Sequence, residues 1–166
     1  MVGVGFLHTG AAQAIGGLCF GQPASHTWLD ASFQPGPAVL EGTRGDDVII
    51  GSDGDDTIDG RGGDDSVCGG PGNDSITVGP GGDSAVDGGS GDDDISTVGR
   101  VHSVTLLGGL GNDTISVGDT VAPSYLNGGA GDDFLFHNGG GHVKLDGGPG
   151  ANLCYPTGGD EVVNCM

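Results

Sequence analysis

Aliphatic side chains recur along residues 42–154 at a spacing that fits neither a helix nor one long strand. Each aliphatic residue is the centre of a three-residue segment, which is too short for a helix and suits a strand with one side chain pointing inward. The aliphatic positions form two columns. One column runs through Ile49, Val67, Val86, Leu106, Leu126 and Leu145, and the other through Ile58, Ile76, Ile95, Ile115, Leu135 and Cys154. Both columns advance by 18, 19, 20, 20 and 19 residues, which predicts a solenoid whose coils each read strand, loop, strand, loop.

The segments between these strands repeat a phrase of glycine and aspartate. Gly54-Asp55-Asp56 and Gly72-Asn73-Asp74 are two of the copies, and the full phrase reads G-G-x-G-x-D-x-U-x, where U is aliphatic. Glycine lets the backbone adopt positive φ and turn its carbonyl groups inward. Aspartate adds an anionic oxygen, and Ca²⁺ prefers six to eight oxygen ligands. The loops therefore predict cation binding.

Composition changes this picture in one respect. The chain has 39 glycines among 166 residues and only 5% aromatic residues, so a conventional packed core is not expected. Its formal net charge is −19, which argues against nucleic acid or an anionic membrane as a partner and favours cations. Low hydrophobicity with high net charge is also typical of disorder. We therefore expect a chain that is disordered without metal and folded with it.

From about residue 42 to residue 154 the sequence resembles the RTX (repeats-in-toxin) β-roll of secreted bacterial proteins, most clearly at residues 69–77. The resemblance implies an all-β fold, a right-handed parallel β-roll or β-helix solenoid of about six coils with short caps at both ends. It also implies Ca²⁺ bound between loops one coil apart. We expect a calcium-binding protein without enzymatic activity.

Carried over by position, the metal ligands are aspartate side chains and loop carbonyl groups. The predicted side-chain ligands are Asp47, Asp56, Asp65, Asp74, Asp83, Asp93, Asp113 and Asp133, with Asn152 as a neutral substitute. The predicted loop glycines are Gly54, Gly72, Gly91, Gly111 and Gly131. Successive loops alternate sides, so Asp47, Asp65 and Asp83 share a first edge of the roll and the other side chains share a second edge. About six or seven Ca²⁺ ions are expected in all.

Other chemistry has weak support. H-E-x-x-H and Gly-x-Ser-x-Gly do not occur, and glycine-rich runs such as 69–74 lack the strand–turn–helix context of a dinucleotide site. His137 and His142 leave a transition-metal site open, although an exposed loop is the favoured interpretation. Two further functions stay open, a surface adhesion or matrix spacer and an accessory domain of an extracellular hydrolase.

The four cysteines bear on location. They allow three pairings, of which we favour Cys19–Cys68 and Cys154–Cys165. Disulfides are rare in a reducing cytosol, and Ala12-Gln13-Ala14 after an apolar run resembles a signal-peptide cleavage site. We therefore expect a secreted, extracellular protein. No stretch is long enough to span a membrane.

The chain divides into four predicted parts. Residues 1–14 are a remnant of a secretory signal, 15–41 an N-terminal cap, 42–154 the calcium-binding roll and 155–166 a C-terminal cap. Solenoids need their end coils covered, and the segment 15–41 holds a large share of the few aromatic residues.

Overall fold

The computed structural model describes residues 19–20, 27–30 and 36–166, so the predicted signal remnant lies outside the described residues. The described residues form fifteen β-strands and no helix. The strands are β1 (Thr27–Asp30), β2 (Val39–Glu41), β3 (Asp47–Ile50), β4 (Thr57–Arg61), β5 (Ser66–Pro71), β6 (Ser75–Val78), β7 (Asp83–Ser90), β8 (Asp94–Thr97), β9 (Ser103–Leu110), β10 (Thr114–Val117), β11 (Ser124–Ala130), β12 (Phe134–His137), β13 (Val143–Asp146), β14 (Leu153–Tyr155) and β15 (Glu161–Val163).

Successive strands alternate between two parallel sheets. The odd-numbered strands form an eight-stranded sheet in sequence order, and the even-numbered strands form a seven-stranded sheet in the same order. The chain therefore passes through one strand of each sheet in every turn and makes about seven turns of roughly 19 residues. The predicted all-β parallel roll is confirmed. In the part of the chain that the structure describes, no helix has the length and apolarity to cross a bilayer.

Most of the core consists of the two predicted columns, placed face to face inside the roll, and five valines complete it: Val78, Val101, Val104, Val117 and Val143. Strand register pairs Ile49 with Val67, and the same column continues residue by residue to Leu145 and then Val162. The other column begins at Leu40 and reaches Cys154 through the members predicted from the sequence. Because each coil contributes so few core side chains, apolar burial per residue is small compared with a globular domain.

The two edges of the roll differ in loop length. On the second edge, which leads from the eight-stranded to the seven-stranded sheet, the two column residues are always nine apart. The pairs are 49/58, 67/76, 86/95, 106/115, 126/135 and 145/154. On the first edge the separation rises from nine (58/67) to eleven (95/106 and 115/126) and falls to eight (154/162). All the variation in coil length is therefore taken up on the first edge.

Several strands are longer than the three residues expected from the sequence. β7 and β9 each extend over eight residues, because the two glycines that open the next loop continue the ladder, with Gly89 opposite Gly109. Strands also occur within the segments expected to be caps. β1 and β2 extend the two sheets at the N-terminal end, and β15 extends the eight-stranded sheet at the other end.

Two disulfides join the ends of the chain to the roll. Cys19 is bonded to Cys68 in β5, and Cys154 in β14 is bonded to Cys165. The predicted pairing is confirmed. Because a stack of coils frays from its ends, both bonds restrain the coils that would open first.

Leu126→Ala and Leu110→Ala test the column core with one and the same chemical change. Leu126 is fully buried in its column, whereas Leu110 is 61% exposed at the end of β9. We expect Leu126→Ala to lower the free energy of unfolding by about 2–5 kcal/mol and Leu110→Ala to change it by less than about 0.5 kcal/mol. Urea unfolding followed by circular dichroism measures both free energies of unfolding. An equal loss of stability in the two variants would contradict the assignment of Leu126 to a buried column.

Candidate metal sites

A ladder of aspartates runs along the second edge inside the loops. The backbone N–H of each aspartate donates to Oδ1 of its equivalent one coil later, from Asp56 to Asp74 at 2.8 Å and from Asp93 to Asp113 at 2.9 Å. The steps from Asp74, Asp113 and Asp133 repeat this bond, and the last acceptor is the side-chain oxygen of Asn152. All six side chains are buried, with 2% exposure or less. The structure therefore gathers every predicted second-edge ligand into one continuous column.

The other carboxylate oxygen of most of these aspartates has no donor. Oδ2 is buried without a hydrogen-bond partner among the described residues in Asp74, Asp93, Asp113, Asp133 and, on the first edge, Asp65. Burial raises the pKa of Asp93 to about 7, and the carboxylates of Asp113 and Asp74 contribute to the rise against the bond from the Asp74 N–H. Burial likewise raises the pKa of Asp65, Asp74 and Asp113 to about 6. Ionised carboxylates at these positions need a positive charge beside them.

Backbone conformation explains which aspartates lack a donor. Oδ2 of Asp47 and Asp56 accepts the N–H four residues earlier, from Thr43 and Ser52 respectively. In the loop of Asp113 that position is Gly109, whose φ of 115° is in the left-handed region. Arg61 occupies it in the loop of Asp65 and is one of the few non-glycine residues with positive φ, at 66°. The positive φ reorients this peptide, so no N–H reaches the carboxylate.

The unpartnered oxygens of Asp74, Asp93 and Asp113 each share a glycine neighbour with a backbone carbonyl of the following coil. A Cβ added to Gly108 would contact both Oδ2 of Asp113 and the carbonyl oxygen of Gly128. A Cβ on Gly88 would contact Oδ2 of Asp93 and, at 2.6 Å, the oxygen of Gly108. In these loops the first glycine of the phrase thus leaves room for two oxygens in the space that a Cβ would occupy. Such a place suits a cation or a proton.

Asn152 is the last member of the second-edge column, and its side-chain amide makes hydrogen bonds that an ionised aspartate cannot make. Its amide Nδ2 donates to the carbonyl oxygens of Gly148 and Asn164, at 2.9 and 3.2 Å. Asn164 is the counterpart here of Gly128 beside Asp113, since a Cβ on Gly147 would contact its oxygen. An N–H group therefore fills at Asn152 the position in which an aspartate places an oxygen. The aspartates earlier in the column, when ionised, have no hydrogen to donate to the carbonyl oxygen at this position.

The first edge carries a shorter column, and its register differs from the one predicted. The N–H of Asp47 donates to Oδ1 of Asp65 at 3.1 Å, but the N–H of Asp65 donates to the hydroxyl of Ser84 at 3.2 Å. Asp83 does not occupy the inner position. It points outward and bonds His102 and Ser103, and these hydrogen bonds lower its pKa. The predicted equivalence of Asp83 with Asp65 is wrong because the extra residue of this coil precedes the strand and moves the inner position to Ser84.

The predicted loop glycines stack on one another along the second edge. A Cβ on Gly72 would contact the carbonyl group of Gly54, and a Cβ on each later member would contact the carbonyl oxygen of the glycine before it. The later members are Gly91, Gly111 and Gly131. Only glycine fits these positions, because adjacent coils approach to backbone distance.

A second, outer ladder of hydrogen bonds was not predicted from the sequence. The residue before each inner aspartate accepts with its side-chain oxygen the backbone N–H of its equivalent in the next coil. Asp55 thus accepts from Asn73 at 2.8 Å, and Asn73 accepts from Asp92 at 2.7 Å. Asn112, Asp132 and Ala151 donate in the same way. Aspartate and asparagine alternate in this ladder from Asp55 to Asp132, which places neutral amides between the carboxylates.

His137 was expected in an exposed loop and is instead buried, with 1% exposure, at the end of β12. Its Nδ1 lies 2.7 Å from Oδ2 of Asp160. Burial opposes ionisation of Asp160, but hydrogen bonds from His137 and from the N–H groups of Val143 and Thr157 hold its pKa below the ordinary value. His142 is exposed and lies 3.3 Å from the carbonyl oxygen of Gly159. The two histidines therefore have separate partners.

The donor set fits a hard cation that takes many backbone ligands. In the described part of the chain, no group of three or more His, Cys, Asp or Glu side chains converges on one point. A gap between two coils instead offers buried aspartate oxygens and glycine carbonyl oxygens. Oxygen-only coordination with neutral carbonyls is typical of Ca²⁺, whereas zinc and other transition metals take Cys or His.

A family model supports the same chemistry. The RTX calcium-binding nonapeptide repeat matches the chain in four copies, at residues 41–76, 104–119 and 124–141. The resemblance predicted from the sequence is confirmed, and the repeats indicate a structural calcium-binding role. No curated protein and no solved structure gives a significant match.

The raised aspartate pKa values predict an unusual pH dependence in the absence of divalent cations. A folded-state pKa of about 6 or 7, against the ordinary 3.8, means that the folded chain binds protons more tightly than the unfolded chain. This contribution to stability is present at low pH and is lost as the pH rises through 6 to 7. With a chelator, we expect more β signal and a smaller hydrodynamic radius at pH 5 than at pH 7.5. No change, or the reverse trend, would contradict the buried carboxylates.

Proposed function

We propose that this protein, which carries RTX calcium-binding repeats, is an extracellular scaffold that Ca²⁺ folds and holds together without itself performing catalysis. The observation that carries the proposal is the unpartnered Oδ2 of the column aspartates, buried next to carbonyl oxygens of the following coil. A divalent cation would neutralise the carboxylates and bring these oxygens into one coordination shell. Each ion would then link two coils.

The proposed sites follow the two columns. Along the second edge, ions would lie between the coils of 56/74, 74/93, 93/113 and 113/133, with a weaker site at 133/152 because Asn152 is neutral. On the first edge the site at 47/65 has two carboxylates, whereas the next gap has Asp65 and the hydroxyl of Ser84. The total remains about six or seven ions. Asp83 is not part of this proposal.

Calcium would be coupled to folding because the roll has little else to offset its charge. The net charge is −19, and the column aspartates lie close together inside the roll. A site whose ion is present at 1,000 times its Kd contributes about 4 kcal/mol. Several such sites, in addition to relief of carboxylate repulsion, are enough to decide whether a thin-cored chain folds.

A calcium titration tests the proposal. With chelator at pH 7.5 we expect a disordered spectrum, and millimolar Ca²⁺ should induce β structure and compaction. Mg²⁺ should substitute poorly, because it requires a tight octahedron and releases water reluctantly. Circular dichroism and hydrodynamic radius are the readouts. Identical spectra and radii with and without Ca²⁺ would refute coupled folding.

Asp113→Asn and Asp119→Asn sharpen this test with one matched change. Asp113→Asn removes a buried carboxylate, so we expect it to weaken calcium affinity yet to favour folding of the metal-free chain, as the amide of Asn152 already does locally. Asp119 is exposed on the first edge and accepts the N–H of Gly140 at 2.7 Å, a bond that asparagine keeps. Asp119→Asn should change neither property. If the two variants lower calcium affinity alike, the second-edge column is not the binding site.

An extracellular location is supported by the two disulfides, which would be unusual in a reducing cytosol. We expect non-reducing peptide mapping of the protein recovered from the medium to show Cys19–Cys68 and Cys154–Cys165. Removing a disulfide of this kind costs about 2–5 kcal/mol in small secreted domains. Four free thiols in exported material would contradict this location.

A further inference from the structure

The outer face of the seven-stranded sheet changes character near its C-terminal end. In β8 and β10 the outward side chains are polar, namely Asp94, Ser96, Thr114 and Ser116. In the next two strands the same positions hold Phe134, Phe136, Leu153 and Tyr155, paired across the strands. We call these four residues the aromatic patch.

The three rings of the aromatic patch form one exposed cluster. The centroid of Phe134 lies 5.3 Å from that of Tyr155 and 6.4 Å from that of Phe136. Phe134 is 38% exposed, Tyr155 47% and Leu153 41%, although the chain has few aromatic residues in all. Three aromatic rings gathered on one exposed face mark a place of contact with another molecule.

A polar cleft of about 410 Å³ lies beside the aromatic patch. Its wall is formed by the first-edge ends of β8 and β10 and by the loops that follow β8, β10 and β12. Its polar side chains are Thr97, Arg100, Ser116, Asp119 and Asn138. The loops after β8 and β10 are the ones with eleven-residue separations, so the extra residues of the first edge build this cleft. Its volume is within the range of small-ligand sites.

Ser116 joins the cleft to the patch. It lines the cleft and is the register partner of Phe136, one strand away, or about 4.8 Å. Among the described residues the side chains of Arg100, Ser116 and Asn138 form no hydrogen bond or ion pair. A guanidinium, a hydroxyl and an amide are therefore free to bind a ligand at the margin of an exposed aromatic surface.

We propose that the aromatic patch and this cleft together form a binding site for a neutral glycan. A pyranose ring has an apolar face of C–H groups and a rim of hydroxyls. The C–H face packs on the negative face of an aromatic ring. The hydroxyls pair with the side chains of the cleft, where Ser116 and Asn138 both donate and accept, Arg100 donates and Asp119 accepts. The site offers both kinds of contact side by side.

The net charge of the chain and the charges of the cleft indicate which class of ligand the site can bind. A polyanionic glycan would be repelled by a chain of net charge −19, and the cleft itself carries one positive and one negative side chain, Arg100 and Asp119. A polycation would bind the carboxylate-rich second edge instead. A protein partner or a second copy of the chain would bury about 800 Å² on each side and would therefore extend well beyond the patch and the cleft. A neutral, hydroxyl-rich polymer fits all three conditions.

Affinity gel electrophoresis of the calcium-folded protein tests the site, with mixed-linkage β-glucan, galactomannan and an α-glucan as neutral probes and hyaluronan as the anionic comparison. We expect at least one neutral polymer to retard the protein and hyaluronan not to. Tyr155→Ala and Arg100→Ala should each weaken that binding by about tenfold, whereas Tyr155→Phe should retain it. The matched control is Tyr125→Ala, a tyrosine on the outer face of the other sheet, and it should stay within about twofold.

Calcium titration of each variant separates this proposal from the structural role of calcium, because none of these side chains lies in the aspartate columns. If Tyr155→Ala fails to fold, Arg100→Ala and Asn138→Ala on the exposed loops provide the same comparison. Three results would overturn the proposal: no retardation by any neutral polymer, equal weakening by Tyr155→Ala and Tyr125→Ala, or self-association that Tyr155→Ala abolishes in ultracentrifugation without any glycan binding.

Discussion

The structure depends on carboxylate oxygens that are held against carbonyl oxygens inside the loops. Two acceptors cannot satisfy each other, so each buried aspartate whose Oδ2 has no donor adds a cost that a cation or a proton removes. The glycines that let neighbouring coils approach so closely also create this arrangement, because they leave room for the second oxygen and orient the peptide groups away from it. The two aliphatic columns bury too little apolar surface to offset many buried aspartates whose Oδ2 has no partner. The interactions that hold neighbouring coils together therefore lie along the edge of the roll and not mainly in its core.

The same constraint explains why the two edges have diverged. On the second edge the hydrogen bonds of the inner and outer ladders hold each loop to the loops of the neighbouring coils. The column residues stay nine apart there throughout. Past Ser84 the first edge has no run of carboxylates, since Val104 and Val143 occupy inner positions there. Freed of that requirement, its loops differ in length. The irregular features of the molecule, the polar cleft and the buried contact between His137 and Asp160, both lie along this freer edge.

Periodicity made most of the fold predictable. The two columns and the alternation of sheets follow from spacings that repeat. The disulfide pairing was instead favoured among three possibilities. The misplacement of Asp83 arose from following the nine-residue phrase; counting two residues back from Val86, as Asp47 precedes Ile49, gives Ser84. The burial of His137 follows from its place two residues after Leu135, on the inward side of β12. Asp160 precedes Val162 by two residues, as Ser84 precedes Val86, and accepts the N–H of Val143 in the preceding coil. Its contact with His137 was not foreseen because the eight-residue separation 154/162 departs from the period of the repeat.

The two ladders run in opposite senses. Inner side chains accept hydrogen bonds from the coil before, and outer side chains accept them from the coil after. A coil duplicated whole would find all these partners on both sides, with both sheets still in register. One added nonapeptide would instead carry every later residue onto the opposite sheet and exchange the two edges. Over generations, whole coils can therefore be gained or lost as pairs of nonapeptides, whereas single residues can be gained or lost only on the first edge. Coil number is the quantity that evolution can vary most readily.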